Sequence, residues 1–274
     1  MSAGHRASQL EAGEVVRAGP TAFALTDIEA MRVTDGVATG GSKNISFDPS
    51  AGILRGAAAA ASDDQTIDGL MRRYSEWASA LIVDSAPEYA PHIRMGRTSL
   101  RTRDAGAPAI SPRKDDRRLH ADAFPSRPTA GARILRVFSN INPTGQARIW
   151  QVGEPFEDYA RRWADRIRRP LTGEAWLLER IGLTRGRRTP YDALMLGLHD
   201  RGKLDESYQR TGPRRVVSFA AGESWLVFTD SVIHAAVSGR FALEQTFYLP
   251  VEGMVNPAAS PLRVLERITG RRLV

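Results

Sequence analysis

Cysteine is absent from the 274 residues. That excludes disulfides, thiolate nucleophiles and cysteine-ligated zinc together. Any metal bound by this chain is therefore held by histidine and carboxylate. Histidine is itself scarce, at five residues, and lysine is restricted to Lys43, Lys114 and Lys203, so the formal charge of +7 is carried by arginine. No apolar run approaches the ~18–20 residues of a membrane span. The opening MSAGHRASQLEAGEVV lacks the apolar centre of a signal peptide, so a cytoplasmic protein is expected. Helix-turn-helix, RNP-type and zinc-knuckle patterns are also missing. Basic charge alone leaves three kinds of anionic partner open: nucleic acid, a phosphorylated lipid surface, or a carboxylated substrate.

What is present is an ordinary globular composition, 42% hydrophobic and 25% charged, long enough for one core with additions. There is no internal repeat. Residues 1–60 read as turns with short strands at 21–25 and 44–47. An amphipathic helix is expected over 63–83, started by Asp63 and Asp64, with Ile67, Leu70, Met71, Tyr74, Trp77 and Leu81 on one stripe. Strand patterns follow at 94–103, 119–124, 132–142 and 147–152, with a loop at 104–118 that reads as mobile. A helical block covers 154–169, 174–182 and 190–200. Four strand-like runs then come quickly, at 214–220, 224–230, 233–238 and 242–250, and a helix at 260–268 closes the chain. Rapid strand succession favours an antiparallel sandwich or barrel over βαβ winding. The expected fold is mainly β with flanking helices: a double-stranded β-helix of the jelly-roll or cupin type with a helical insertion. One domain over 1–274 is expected. It comprises N-terminal strands and turns (1–60), a support helix (63–90), the β-helix core (94–152 and 214–250), the insertion (154–209) and the C-terminal helix.

In RLHADAFPSRP, from residue 118, His120 and Asp122 are two apart. In an extended segment they project to one face, with Cα atoms about 6–7 Å apart. They could share one ion; alone they could equally be a hydrogen-bonded surface pair. His234, just past SWLVFTD, is the candidate third ligand, because the two regions converge in a closed double-stranded β-helix. Two histidines and one carboxylate on one face of an octahedron leave open positions, as in non-haem Fe(II) oxygenases. No HExxH is present, so a zinc hydrolase ranks lower. His199, beside Asp200 on an expected helix, reads as structural. An oxygenase of this kind takes 2-oxoglutarate, whose far carboxylate suits an arginine fork. Arg136, inside the apolar run ILRVF and in parity with Phe138 and Asn140, is the first candidate for that clamp. Arg240 is the second, and Arg101 and Arg103 come third.

The segments HADAFPSRP, RILRVFSNINP, VGEPFEDYA, YDALMLGLHDRGK and FTDSVIHAAVSGRFALEQTFYLP, in that order across about 90–250, resemble the Kdo hydroxylase family. The resemblance implies an Fe(II)- and 2-oxoglutarate-dependent dioxygenase with His120, Asp122 and His234 as iron ligands. It also implies hydroxylation of C3 of 3-deoxy-D-manno-oct-2-ulosonic acid (Kdo) in Kdo2-lipid A to give Ko, using O2 and releasing succinate and CO2. The usual clamp position, some ten residues beyond the distal histidine, reads ALEQTFY and holds no basic residue, which moves the expectation to Arg136. An anionic glycolipid would give the charge a purpose, through Arg113, Lys114, Arg117 and Arg118 beside the metal segment. Arg161, Arg162, Arg166, Arg168 and Arg169 could lie against headgroups at the cytoplasmic leaflet of the inner membrane. Under this reading no nucleic-acid partner is expected. The alternatives are a 2-oxoglutarate-dependent hydroxylase of another acceptor and a basic nucleic-acid-binding protein.

Overall fold

A computed structural model describes residues 3–39, 44–59, 65–107, 111–171 and 173–274. Eight consecutive buried residues make β5 (Arg133–Asn140) the centre of the molecule. It pairs antiparallel with β8 (Ser224–Phe228) on one side and β10 (Ala242–Leu249) on the other. β1 (Val16–Arg17), β4 (Arg94–Arg101), β2 (Ile45–Asp48) and β3 (Ile53–Arg55) complete a seven-stranded sheet in the order β1-β8-β5-β10-β4-β2-β3. A second sheet of three strands runs β7 (Arg215–Phe219), β6 (Arg148–Val152), β9 (His234–Ser238). This is the antiparallel jelly-roll core with flanking helices that the strand pattern implied.

Both faces of the large sheet are covered at β5, which is why all eight of its residues are buried, the polar ones included. Leu135, Val137, Leu226 and Phe228 face the helices. Phe138, Trp225 and Val227 face the small sheet and pack on Trp150 and Phe219. The helical side is built by α1 (Ala3–Glu11), α2 (Asp27–Arg32) and α3 (Thr66–Ser85). In α3 the 3.6-residue stripe Ile67, Leu70, Met71, Tyr74, Ala78, Leu81 is buried. Its expected starting residues, Asp63 and Asp64, lie outside the described residues. The insertion supplies α4 (Phe156–Trp163), α5 (Glu174–Arg180), α6 (Pro190–Leu204) and α7 (Glu206–Thr211), and α8 (Pro261–Thr269) ends the chain.

Several local expectations are corrected. Among the described residues, 1–60 include the helices α1 and α2, not only strands and turns: Ala7 and Leu10 of α1 are core residues, and α2 opens with a Thr26/Glu29 capping box. The segment 21–25 is not a strand, because the Phe23 N–H donates to the Ser224 hydroxyl and so makes no ladder bond there. The segment 119–124 is extended but forms only a single bridge, His120 to His234. The expected helix 154–169 stops at Trp163 and continues as one 3-10 turn, Ala164–Arg166.

Candidate metal centre

His120 and His234 meet across that bridge. The His120 N–H donates to the His234 carbonyl at 3.1 Å, and the His234 N–H returns to the His120 carbonyl at 2.9 Å. The Asp122 N–H donates to the Thr229 carbonyl at 2.8 Å. Gln209 of α7 brackets Leu119 through both its N–H and its C=O. The segment is thus clamped between the β8–β9 connection and the helical insertion, and its i, i+2 side chains share one face.

The donor atoms of His120, Asp122 and His234 all lie within 4.8 Å of one another. His120 Nε2 is 3.5 Å from Asp122 Oδ1, and the two imidazole centroids are 4.6 Å apart. Each imidazole is oriented from behind. His120 Nδ1 contacts the Arg118 carbonyl at 2.7 Å and His234 Nδ1 contacts the Val232 carbonyl at 2.8 Å. A carbonyl only accepts, so Nδ1 carries the proton and Nε2 keeps its lone pair for the centre. Trp150 stacks on His234 at 5.0 Å, and His199 of α6 meets His120 edge-on at 5.3 Å. Burial pushes the His120 pKa down to about 3 and lowers that of His234. Burial works to raise the Asp122 pKa, but Arg136 and His120 outweigh it and hold the carboxyl well below its usual range. The centre therefore offers two neutral imidazoles and one carboxylate, the protonation states a divalent cation requires.

These groups open on a cavity of about 180 Å³ lined also by Arg101, Asp116, Arg136, Phe138, Arg148 and Trp150. Arg136 lies 3.2 Å from Asp122 Oδ2 and 3.1 Å from Glu244 Oε1. Glu244 also takes Arg101 Nε at 2.7 Å; burial opposes its ionisation, yet Arg101 and Arg136 keep its pKa lowered. Arg148 donates to the Gly239 carbonyl at 3.0 Å. Gly239 has φ +105, and a Cβ there would sit 2.7 Å from the Arg148 Cα, so this close approach needs glycine. Asp122 Oδ2, Arg136 Nε, Arg148 Nε and Trp150 Nε1 are buried without a hydrogen-bond partner among the described residues. Unmatched buried polar atoms of this kind are rare in native proteins. Here a carboxylate oxygen that lacks a donor and three N–H groups that lack acceptors belong to residues lining one cavity, which fits a cation together with an anionic ligand.

Of the residues singled out from sequence, Arg136 and Arg101 face this cavity and Arg240 and Asn140 do not. Arg240 pairs with Asp35 and donates to the Thr102 carbonyl. The Asn140 amide is held by the carbonyls of Gln146 and Phe219 and by the Asn142 N–H. Arg148, Trp150 and Glu244 were missed. The signal for the first two was the alternation Arg148, Trp150, Val152 in a half-buried strand.

A jelly roll with a two-histidine, one-carboxylate cluster beside a basic cavity defines an Fe(II)- and 2-oxoglutarate-dependent dioxygenase. A family profile described as 3-deoxy-D-manno-oct-2-ulosonic acid (Kdo) hydroxylase matches residues 2–272. The chain belongs to the Kdo hydroxylase family. The crystal structure of the Kdo hydroxylase KdoO, described as a non-heme Fe(II) alphaketoglutarate-dependent dioxygenase in complex with alphaketoglutarate and Fe(III), is 42% identical. The match covers 99% of this chain and 91% of that one, with a TM-score of 0.94. The cobalt(II) complex of KdoO is likewise 42% identical over the same shares, with a TM-score of 0.95. No curated protein matches in a sequence search.

Proposed function

We propose that this protein hydroxylates C3 of Kdo in Kdo2-lipid A, giving Ko, with His120, Asp122 and His234 holding Fe(II). Bound Fe(II) and 2-oxoglutarate supply O2 activation and the oxidising power for a C–H bond, with succinate and CO2 released. The chain's own residues position and exclude. The Arg118 and Val232 carbonyls fix the two imidazole tautomers. Arg136 sets the Asp122 carboxylate, with Glu244 holding Arg136 in turn. Arg136 Nε, Arg148 Nε and Trp150 Nε1 take the co-substrate's carboxylates, while Phe138 and Trp150 keep water from the centre. The reading rests on one observation: three residues carrying buried donors without partners line the same small cavity as the three ligand residues. The acceptor is a lipid-borne sugar, and the protein meets it peripherally at the cytoplasmic face of the inner membrane.

Incubation with Fe(II), ascorbate, 2-oxoglutarate and Kdo2-lipid A is expected to add one oxygen by mass spectrometry, with one succinate formed per product. His120→Ala, Asp122→Ala and His234→Ala are each expected to abolish both. Succinate formed only with a different acceptor from a metabolite panel overturns the assignment of substrate while keeping the class.

A further inference from the structure

We propose that residues 166–171 and 173–188, with α5 at their centre, seat the protein on an anionic lipid leaflet. The proposal deepens the reading of a lipid-borne acceptor, on which it rests for its purpose.

Leu171, Trp176, Leu177, Ile181 and Leu183 lie within thirteen residues, and each is more than half exposed. No side chain of α5 is buried. Helices elsewhere in the fold cover an apolar stripe; here Trp176 and Leu177 of α5, and Ile181 just after it, are all exposed. Large apolar side chains exposed this densely on a folded surface mark an interaction site. The surrounding charge says with what. The segment carries seven arginines against two acidic residues, Glu174 and Glu179. Glu174 is engaged by Arg168. Arg166, Arg169, Arg180, Arg185 and Arg187 form no salt bridge among the described residues.

Of the basic residues expected from sequence to meet the anion, Arg166, Arg168 and Arg169 belong to this segment, and most of the others are neutralised. Arg117 pairs with Asp115, Arg118 with Glu206, Arg113 with Asp200, Arg161 with Glu157 and Arg162 with Glu154. The unneutralised charge lies further along, around α5. Against the segment opens a cavity of about 770 Å³. Its apolar floor includes Ile167 and Leu196, and its rim includes Arg166, Arg168, Arg188 and Arg201.

Arginine around exposed tryptophan, leucine and isoleucine is the chemistry of a leaflet boundary, where headgroup anions lie above acyl carbon. A second copy of the chain is a poor occupant. An isologous contact would set this arginine cluster against itself.

The test uses sedimentation of the full chain with phosphatidylglycerol/phosphatidylethanolamine vesicles and with phosphatidylcholine vesicles, read beside Trp emission. Binding to the anionic vesicles is expected, weakened by 0.5 M NaCl, with a blue shift absent in W176F. The double variant Trp176→Ser, Leu177→Ser is expected to lose binding at least tenfold while hydroxylating a water-soluble, delipidated Kdo acceptor at the wild-type rate. Those two positions are exposed, so the fold is retained, as its melting curve checks. Equal binding to both vesicle types, undiminished binding by the double variant, or self-association of the wild type that the variant abolishes would each overturn the proposal. Wild-type vesicle binding without turnover of any Kdo acceptor would instead remove the substrate reading and leave the lipid seat standing.

Discussion

At the scale of single residues, the unusual feature is a set of buried arginines whose partners are incomplete. Arg148 is pushed down to about 10 by burial and by Arg101, which still leaves it charged at neutral pH. Its Nε has no acceptor among the described residues. A hydrogen bond from a charged donor contributes about 1.5–3 kcal/mol, equivalent to roughly tenfold to a hundredfold in affinity. Arg148→Leu and Arg136→Leu are therefore each expected to raise KM for 2-oxoglutarate at least tenfold in steady-state succinate assays. Arg240→Ala is expected to leave it nearly unchanged, because that guanidinium is committed to Asp35 and Thr102. Arg136 was legible in the sequence because a charge inside ILRVF demands a partner. Arg148 was not, because an arginine at the first position of a strand looks the same whether its tip reaches solvent or a cavity.

At the scale of elements, β5 is tied to the β8–β9 connection by Arg133 and Asp230. Arg133 Nε and Nη2 reach the two Asp230 oxygens at 2.8 and 3.1 Å, both side chains are fully buried, and the guanidinium lies 3.9 Å over the Phe228 ring. Burial raises the Asp230 pKa in spite of Arg133, so the aspartate depends on its partner. Removing one member of such a pair costs about 3–5 kcal/mol, whereas apolar replacement of both can be nearly neutral. Arg133→Met is thus expected to lower stability by about that much in urea unfolding. Arg133→Met with Asp230→Leu is expected to recover most of it. Because Asp230 sits four residues before His234, the single variant is also expected to lose metal affinity. The period of α3 was plain in its apolar stripe. The 119–124 segment was misread as a ladder strand because its backbone partners are divided among His234, Thr229 and the Gln209 side chain, and no local pattern announces that division.

For the molecule as a whole, the proposed metal cluster joins the segment before β5 to the small sheet, so an ion bound there would bridge parts that otherwise separate on unfolding. A ligand at a hundred times its Kd adds about 2.7 kcal/mol to stability when the unfolded chain does not bind it. Anaerobic Fe(II) or Co(II) is expected to raise Tm by several degrees, an increase that EDTA reverses and His234→Ala lacks. In the metal-free protein the histidines add a pH dependence. Unfolded histidine titrates near 6.5, while folded His120 resists protonation to about 3. Above 6.5 both states are neutral and stability is complete. As pH falls from 6.5 toward 3 the unfolded chain takes up the proton that the native state refuses, so stability declines. Tm measured in EDTA is expected to fall across that window, and to fall less in His120→Gln.

What the sequence determined was the donor chemistry: no thiolate, few histidines, one His-x-Asp, and strand and helix periods strong enough to imply the antiparallel core and its helical insertion. Tertiary structure alone decided which basic groups surround the cluster. Arg101 and Arg136 gather on Glu244 only because β10 lies between β4 and β5 in a particular register, and Arg148 reaches the same cavity from β6 of the small sheet. Coulombic and desolvation energies depend on distance and burial in space, and neither is written in the spacing of residues along the chain.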